Sequence, residues 1–368
     1  MKLLFDATVL EIPPTGVAKV TLGLYNACRQ QDPSLDIVAV HRRPLVAPLP
    51  PGILSSQWGS FLPAALWRRL HLPAATMGAE HAIIHFPWNG NIPRLLPSTT
   101  VLTTLHDVLP LIIPGFFTSP DGERRYREAR QRDIVRTDLL LTDSEFSKQE
   151  ILKNFRVPRE PVVIPFGPTL PRIAFPSENA GKGEYFLYVG GYDPRKGLAQ
   201  LLTAFLELRR QNKVRSKLIL AGSKLHVSEQ FSRLVKEGVQ MGAVEERGYV
   251  PDDVLASLYA NAIALVYPSK YEGFGLPPLE AMAAGCPVVT TRCTSLPEVC
   301  GDAAYYVDAD DTQSIASSLV DLETSADLRM LYGSKGRAQS EKFTWERAAA
   351  TFLQALHRTL TQSSRSTL

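Results

Sequence analysis

Two carboxylates, Glu272 and Glu280, stand eight residues apart in the segment Tyr271-Glu272-Gly273-Phe274-Gly275-Leu276-Pro277-Pro278-Leu279-Glu280. An apolar run over residues 263–268 precedes them and reads as a strand. A glycine-spaced turn follows. Pro277 and Pro278 then open a helix, because proline fits a first helical turn where its missing N–H is not needed. The pattern predicts that helix over residues 279–284, stopped at Gly285. One carboxylate thus lies in a loop after a strand, the other in the first turn of the next helix. In an open α/β sheet this is the ligand crevice, outside the carboxyl ends of the strands. Two acids beside a helix N-terminus suit a polyhydroxylated, phosphate-bearing ligand, and a nucleotide sugar meets that description.

A second constellation is Tyr188-Val189-Gly190-Gly191-Tyr192-Asp193-Pro194-Arg195-Lys196-Gly197. A strand ends in Gly190 and Gly191, which let backbone approach a ligand closely. Arg195 and Lys196 follow, one a forked donor and one a point charge, a pairing suited to a diphosphate. A solvated charged turn is the competing reading, weakened by the paired acids in the same half of the chain. In the other half, Pro13-Pro14-Thr15-Gly16-Val17 separates the first strand from the first helix, so the Gly16 N–H is placed to meet a phosphate or sugar oxygen. His106, in Thr104-Leu105-His106-Asp107, ends another apolar strand, where it would donate to a sugar hydroxyl or a leaving phosphate. Asp107 would orient it or cap the next turn. Asp143-Ser144-Glu145 reads as a helix cap. His41, His71, His81, His85, His226 and His357 carry no functional expectation.

Two stretches could meet an acceptor or a membrane. Arg124, Arg125, Arg127, Arg130, Arg132 and Arg136 face only Glu128 and Asp133 within residues 124–136. They would meet anionic lipid or a lipid diphosphate, or form a solvated helix face. Residues 58–72 mix Trp58, Phe61, Leu62, Leu66, Trp67, Arg68 and Arg69. That segment either dips into an interface, covers an acceptor site or packs in the core.

The elements that must position these residues alternate regularly. Strands are predicted at residues 2–5, 37–40, 82–85, 101–105, 139–142 and 162–164. The pattern restarts at 185–189, 217–221, 246–248, 262–267, 287–290 and 304–307. Helices are predicted at 17–30, 122–136 and 144–154, then at 197–210, 227–241, 252–261, 277–285, 295–299 and 312–324. Alternation of this kind implies parallel βαβ units. Proline and glycine in residues 165–171, followed by a polar stretch at 176–184, mark a linker. The expectation is α/β: two doubly wound domains of similar size, residues 1–166 and 167–342, facing across a cleft that holds the ligand.

Composition removes several classes. The 368 residues are 45% hydrophobic and 21% charged, an ordinary globular balance. A net charge of +3 argues against a nucleic-acid protein held by phosphate neutralisation. Cys28, Cys286, Cys293 and Cys300 form no C-x-x-C pair, so no zinc site is expected and buried cytosolic thiols are. No apolar run reaches the roughly 20 residues of a membrane span, and the first residues do not read as a signal peptide. The protein is expected in the cytoplasm, with room for peripheral contact at the membrane.

These residues together resemble the retaining glycosyltransferases of the GT-B fold, family four, whose signature is two glutamates separated by seven residues, as Glu272 and Glu280 are. Thr15-Gly16-Val17, Thr104-Leu105-His106-Asp107, Asp143-Ser144-Glu145-Phe146-Ser147, Val163-Ile164-Pro165, Val189-Gly190 with Pro194-Arg195-Lys196, and Leu220-Ala221-Gly222 are similar in the same order. Coverage runs from residue 1 to about 355. The resemblance implies roles. Glu280 holds the donor ribose, and Arg195 and Lys196 neutralise the diphosphate. Glu272 contacts the donor sugar with the backbone of Gly273, Phe274, Gly275 and Leu276 nearby. His106 touches the sugar or leaving phosphate, and Gly16 approaches the diphosphate. It implies attack by the acceptor hydroxyl on the face the diphosphate leaves, with neither metal nor other cofactor. It also implies a last helix, from residue 343, that returns to the N-terminal domain. Phe166-Gly167 stands where relatives often have Asn-Gly, and Lys19 where many have Arg in the first loop. The His106-Asp107 loop and Leu296-Pro297-Glu298-Val299 are most similar to mannosyltransferases using GDP-mannose. UDP- and dTDP-sugars, a same-fold epimerase and a binding protein without turnover are the alternatives. The implied partners are a nucleotide-sugar donor and a glycan or lipid-linked acceptor of surface polysaccharide or lipopolysaccharide.

Overall fold

A computed structural model describes every residue except 14, 78–81, 90–91, 172–182, 224–228 and 366–368. Pro14, His81, His226, most of the polar stretch at 176–184 and the first residues of the helix predicted from 227 therefore lie outside the described residues. The chain forms two compact units, Met1–Gly167 with Phe343–Leu368, and Pro168–Lys342.

In the first unit seven parallel strands lie in the order β3-β2-β1-β4-β5-β6-β7. They are β1 (Lys2–Asp6), β2 (Asp36–His41), β3 (Leu54–Gln57), β4 (Ile83–Phe86), β5 (Thr100–Thr104), β6 (Leu139–Thr142) and β7 (Val162–Val163). The helices are α1 (Gly16–Gln31), α2 (Ala64–Ala75), α3 (Gly122–Val135) and α4 (Glu145–Asn154). The inner strands are buried along almost their whole length, on both faces, as a sheet covered by helices requires, although β5 carries three threonines in Thr-Val-Leu-Thr-Thr. Strand order reverses between β1 and β4, so the loops after both open into one crevice.

The second unit repeats the plan with the order β10-β9-β8-β11-β12-β13. Its strands are β8 (Tyr185–Val189), β9 (Lys217–Ala221), β10 (Val244–Gly248), β11 (Ala264–Tyr267), β12 (Val288–Thr291) and β13 (Tyr305–Val307). Its helices are α5 (Leu198–Arg210), α6 (Glu229–Gln240), α7 (Asp252–Asn261), α8 (Leu276–Ala283), α9 (Leu296–Cys300), α10 (Thr312–Thr324) and α11 (Ala326–Ser340). In α5, Leu198, Leu201, Leu202, Phe205 and Leu208 recur at helical spacing and are all buried. Here the order reverses between β8 and β11.

The last helix, α12 (Trp345–Arg365), packs on α1 in the first unit. Gly23 permits this closeness, since a Cβ there would lie 2.5 Å from the Trp345 ring. Tyr25 meets Phe352 edge-on at 6.4 Å, and Gln31 Nε2 donates to the Glu346 carbonyl at 2.6 Å. Gly167 belongs with this unit, one residue beyond the boundary expected from the sequence, because it is packed against Trp345. A Cβ at Gly167 would come within 2.9 Å of the Trp345 ring, and Phe166 packs on the same indole at 5.9 Å.

Three elements escape the sequence pattern: β3, α2 and α11. Of the mixed segment at 58–72, Trp67 and Leu72 are buried core, while Trp58, Phe61, Leu66 and Leu70 are exposed. Lys19 lies in the first turn of α1, within the helix predicted from residue 17, and not in the loop where relatives often carry Arg. The four cysteines are free thiols. Among the described residues no helix is long and apolar enough to cross a membrane.

Candidate active site

The second unit gathers its charged residues at the carboxyl ends of β8 and β11. After β8, Gly190 takes φ +145°, and a 3-10 turn over Pro194–Lys196 follows. Asp193 Oδ1 accepts from the Arg195 N–H at 3.0 Å and fixes that turn. Gly197, at φ +69°, closes it and caps α5; a Cβ there would sit 2.1 Å from the Pro268 carbonyl oxygen. Only glycine fits this contact between the two loops.

Glu272 lies in the loop after β11 and is 7% exposed. Its Oε1 accepts from Lys196 Nζ at 2.6 Å, Ser269 Oγ at 2.6 Å and Tyr267 Oη at 2.8 Å, with Arg195 Nη1 at 3.2 Å. Lys196 also donates to Tyr267 Oη. Burial works against a charge on Glu272, but the neighbouring Lys196 and Arg195 prevail and hold its carboxyl below the usual range. Burial in turn lowers Lys196, against the pull of Glu272. The cluster is a buried, ionised acid facing two cations, with the more exposed Asp193 carboxylate 3.7 Å from Arg195 Nε.

Backbone around Glu272 is held as firmly. Its N–H donates to Thr294 Oγ1 at 3.0 Å, and Ser295 Oγ lies 2.9 Å from its carbonyl oxygen and 2.8 Å from that of Phe274. Thr294 takes φ +55°, a costly conformation for a β-branched residue and one often found at functional sites. Gly273, Phe274 and Gly275 complete the turn. Gly275, at φ +110°, is the N-cap of α8, which starts at Leu276, one to three residues before the expected start, so Glu280 falls in its second turn and not in its first. With Gly275 in that conformation, Leu276 takes the first helical position and both prolines fall in the first turn. Glu280, 5% exposed, accepts from Thr169 Oγ1 and from Tyr259 Oη at 3.4 Å.

In the first unit the matching positions are the loops after β1, β4, β5 and β6. Gly16 begins α1, capped by Thr15 Oγ1, which accepts from the Ala18 N–H at 3.3 Å. His106 is buried at the end of β5. Its Nδ1 donates to Asp143 Oδ2 at 2.7 Å and its Nε2 to the Pro87 carbonyl at 3.0 Å. Neither oxygen can donate, so both ring nitrogens carry protons and the ring is an imidazolium. Burial opposes that charge, but Asp143 outweighs it and raises the pKa to about 9. Both nitrogens are committed here, so a ligand would have to displace the Pro87 carbonyl to take a proton from His106. Asp107 does the capping, accepting from the Leu109 N–H at 3.0 Å, while Asp143 does the orienting. Ser144 caps α4 by accepting from the Ser147 N–H at 3.0 Å.

The sequence did not single out Tyr267, Ser269, Thr294, Ser295, Thr169 or Asn89, whose Oδ1 accepts from the His106 N–H at 2.9 Å. In the sequence Asp143 reads only as a cap. Position offered one signal: Tyr267 and Ser269 are the last strand residue and the second loop residue before Glu272. Among the described residues no group of three or more His, Cys, Asp or Glu is placed to hold a metal ion.

Residues 171–339 match the family described as Glycosyl transferases group 1. Over 285 residues the chain is 35% identical to the O-antigen chain mannosyltransferase B of Escherichia coli, spanning 74% of this chain and 73% of that one. The chain belongs to the group 1 glycosyl transferases. Over 231 residues this glycosyltransferase is also 33% identical to an MMP alpha-(1->4)-mannosyltransferase of Mycolicibacterium hassiacum, covering 61% of this chain and 54% of the relative. Its fold is that of the sucrose-phosphate synthase of Thermosynechococcus elongatus, with TM-score 0.76 at 20% identity over 98% and 99% of the two chains. It is also that of WaaG, described as a glycosyltransferase involved in lipopolysaccharide biosynthesis, with TM-score 0.73 at 17% identity over 96% and 98%. The architecture of this glycosyltransferase is therefore GT-B.

Proposed function

We propose that this enzyme transfers mannose from GDP-mannose, with retention of anomeric configuration, to a hydroxyl of a glycan or lipid-linked saccharide in surface-polysaccharide or lipopolysaccharide assembly. The observation that carries the reading is the convergence of Lys196, Arg195 and Glu272 beside β8 and β11, in a chain 35% identical to an O-antigen mannosyltransferase. Lys196 and Arg195 meet the diphosphate. Glu280, in the second turn of α8, meets the ribose hydroxyls. Oε2 of Glu272, which takes no part in the four contacts above, meets the donor sugar. A carboxylate so heavily hydrogen-bonded is a weak nucleophile, which favours direct attack by the acceptor with a phosphate oxygen taking the proton. No metal is needed where two cations already face the leaving group. The residues act by charge stabilisation and positioning. His106 contributes a fixed positive charge from the first unit. The donor implies work in the cytoplasm, at the inner face of the membrane when the acceptor is lipid-linked.

Thermal unfolding with GDP-mannose, UDP-glucose and dTDP-rhamnose tests the donor. A ligand at 100 times its Kd stabilises by about 2.7 kcal/mol, and only the true donor should do so. Stabilisation by UDP-glucose and not by GDP-mannose overturns the mannose reading. Proton NMR of the product made from the α-linked donor tests the stereochemistry: an α-mannoside supports retention and a β-mannoside contradicts it.

A further inference from the structure

The first unit holds a pocket of about 910 Å³ that the roles above leave unused. Three elements bring arginines to it. Arg69 comes from α2, Arg94 from the chain between β4 and β5, and Arg125, Arg130, Arg132 and Arg136 from α3 and its C-cap. Glu128 and Asp133 share its wall, so six guanidiniums against two carboxylates leave four positive charges in excess. Both acids are already engaged. Glu128 pairs with Arg124 at 3.4 Å, and Asp133 accepts from the Ile92 N–H at 3.0 Å and lies 3.0 Å from Arg130. Among the described residues no carboxylate comes within 4.0 Å of Arg69, Arg94 or Arg132. Crowded like charges without a counter-charge are unfavourable, and a bound anion relieves them. Arginine's planar fork fits phosphate oxygens in particular. Tyr126 adds a hydroxyl to the wall that is buried with no hydrogen-bond partner among the described residues. Asn89 joins the pocket to the His106 loop, since its Oδ1 accepts from the His106 N–H and its Nδ2 donates to the Asp107 carbonyl at 3.3 Å.

We infer that this pocket binds a phosphate or diphosphate group carried by the acceptor. The inference rests on the reading of the chain as a transferase to a glycan or lipid-linked saccharide. It adds that the acceptor is anionic and that its charge is recognised beside His106. The same chemistry is offered by a soluble sugar phosphate and by a lipid diphosphate.

Calorimetric titration with inorganic pyrophosphate is the test. The wild type should bind two equivalents, one at Lys196 and Arg195 and one here. The double variant Arg94→Gln/Arg132→Gln should weaken one equivalent at least tenfold and leave the other; Lys196→Gln should do the reverse. Both arginines are exposed, so the fold should survive, and Arg69→Gln with Arg132→Gln serves as a second pair. Wild-type titration by both double variants overturns the inference. Loss in the double variants with no effect of Lys196→Gln keeps this pocket and refutes the donor site instead. Competition by farnesyl diphosphate assigns the pocket to a lipid-linked acceptor, and competition by mannose 1-phosphate alone assigns it to a soluble one. If neither competes, and the variants lose only sedimentation with phosphatidylglycerol vesicles, the arginines serve a membrane surface and the inference fails.

Discussion

Each unit places a buried cation–carboxylate pair at the carboxyl end of its sheet, and the two pairs are built differently. In the second unit Lys196 and Arg195 share the buried Glu272, and the more exposed Asp193 carboxylate lies 3.7 Å from Arg195 Nε, so the two cations belong to separate side chains and neither is made by its partner. In the first unit Asp143 makes the cation, turning a histidine into an imidazolium whose two N–H groups are both spent. His85 is the control. It is as deeply buried, but its neighbours are the hydroxyls of Tyr25 and Thr104. Burial, with the His106 charge nearby, takes its pKa down to about 3, so it stays neutral. The partner, more than the burial, decides whether a ring in this unit is charged.

The contrast predicts unequal consequences. The largest belongs to the second unit. Lys196→Ala should lower kcat about 10²- to 10³-fold in a transfer assay, with the circular dichroism spectrum unchanged. A fall of less than tenfold would mean the two cations are interchangeable. Gly197→Ala should do comparable harm through the backbone, because its Cβ would meet the Pro268 carbonyl at 2.1 Å. Denaturant unfolding should show a loss of several kcal/mol, and wild-type stability would show that the loop is free to move.

The first unit should respond mainly to pH. His106 has its pKa raised from 6.5 to about 9 on folding. Its contribution is therefore complete below about pH 6.5 and lost as pH rises through 9, amounting to about 3 kcal/mol. Asp143→Asn should flatten the fall in stability across that window and cost kcat roughly tenfold. An unchanged pH profile would show that His106 is neutral in the wild type. The smallest effect is expected on the exposed face of α3, where Arg124→Ala breaks the pairs with Asp121 and Glu128 and should cost at most about 0.5 kcal/mol. A greater loss would mean that this ladder supports the arginine pocket.

The two regions also differ in how much of them the sequence discloses. The second-unit site is local: Glu272, the glycine turn and α8 are consecutive, and a strand followed by glycines announces the Arg195–Lys196 loop. Its hydroxyl partners are not announced, because parallel register brings Tyr267 beside Thr290, and Thr294 and Ser295 into the Glu272 turn from the following strand's loop. The first-unit pair is assembled from residues 37 positions apart, and Asp143 reads equally well as a cap. The missed elements have similar causes. β3 is an edge strand with one apolar residue in Leu-Ser-Ser-Gln. α2 carries Pro73 inside it. α11 contains Gly333 and Gly336, poor helix formers that let it pack closely on Gly285 and Met282.

The central claim is that Lys196 and Arg195 form the diphosphate site of a GDP-mannose donor. Calorimetric titration of the wild type and Lys196→Ala with GDP-mannose addresses it most directly. The account predicts binding by the wild type and affinity at least tenfold weaker in the variant; equal affinity in the two proteins, or no binding to either, contradicts it.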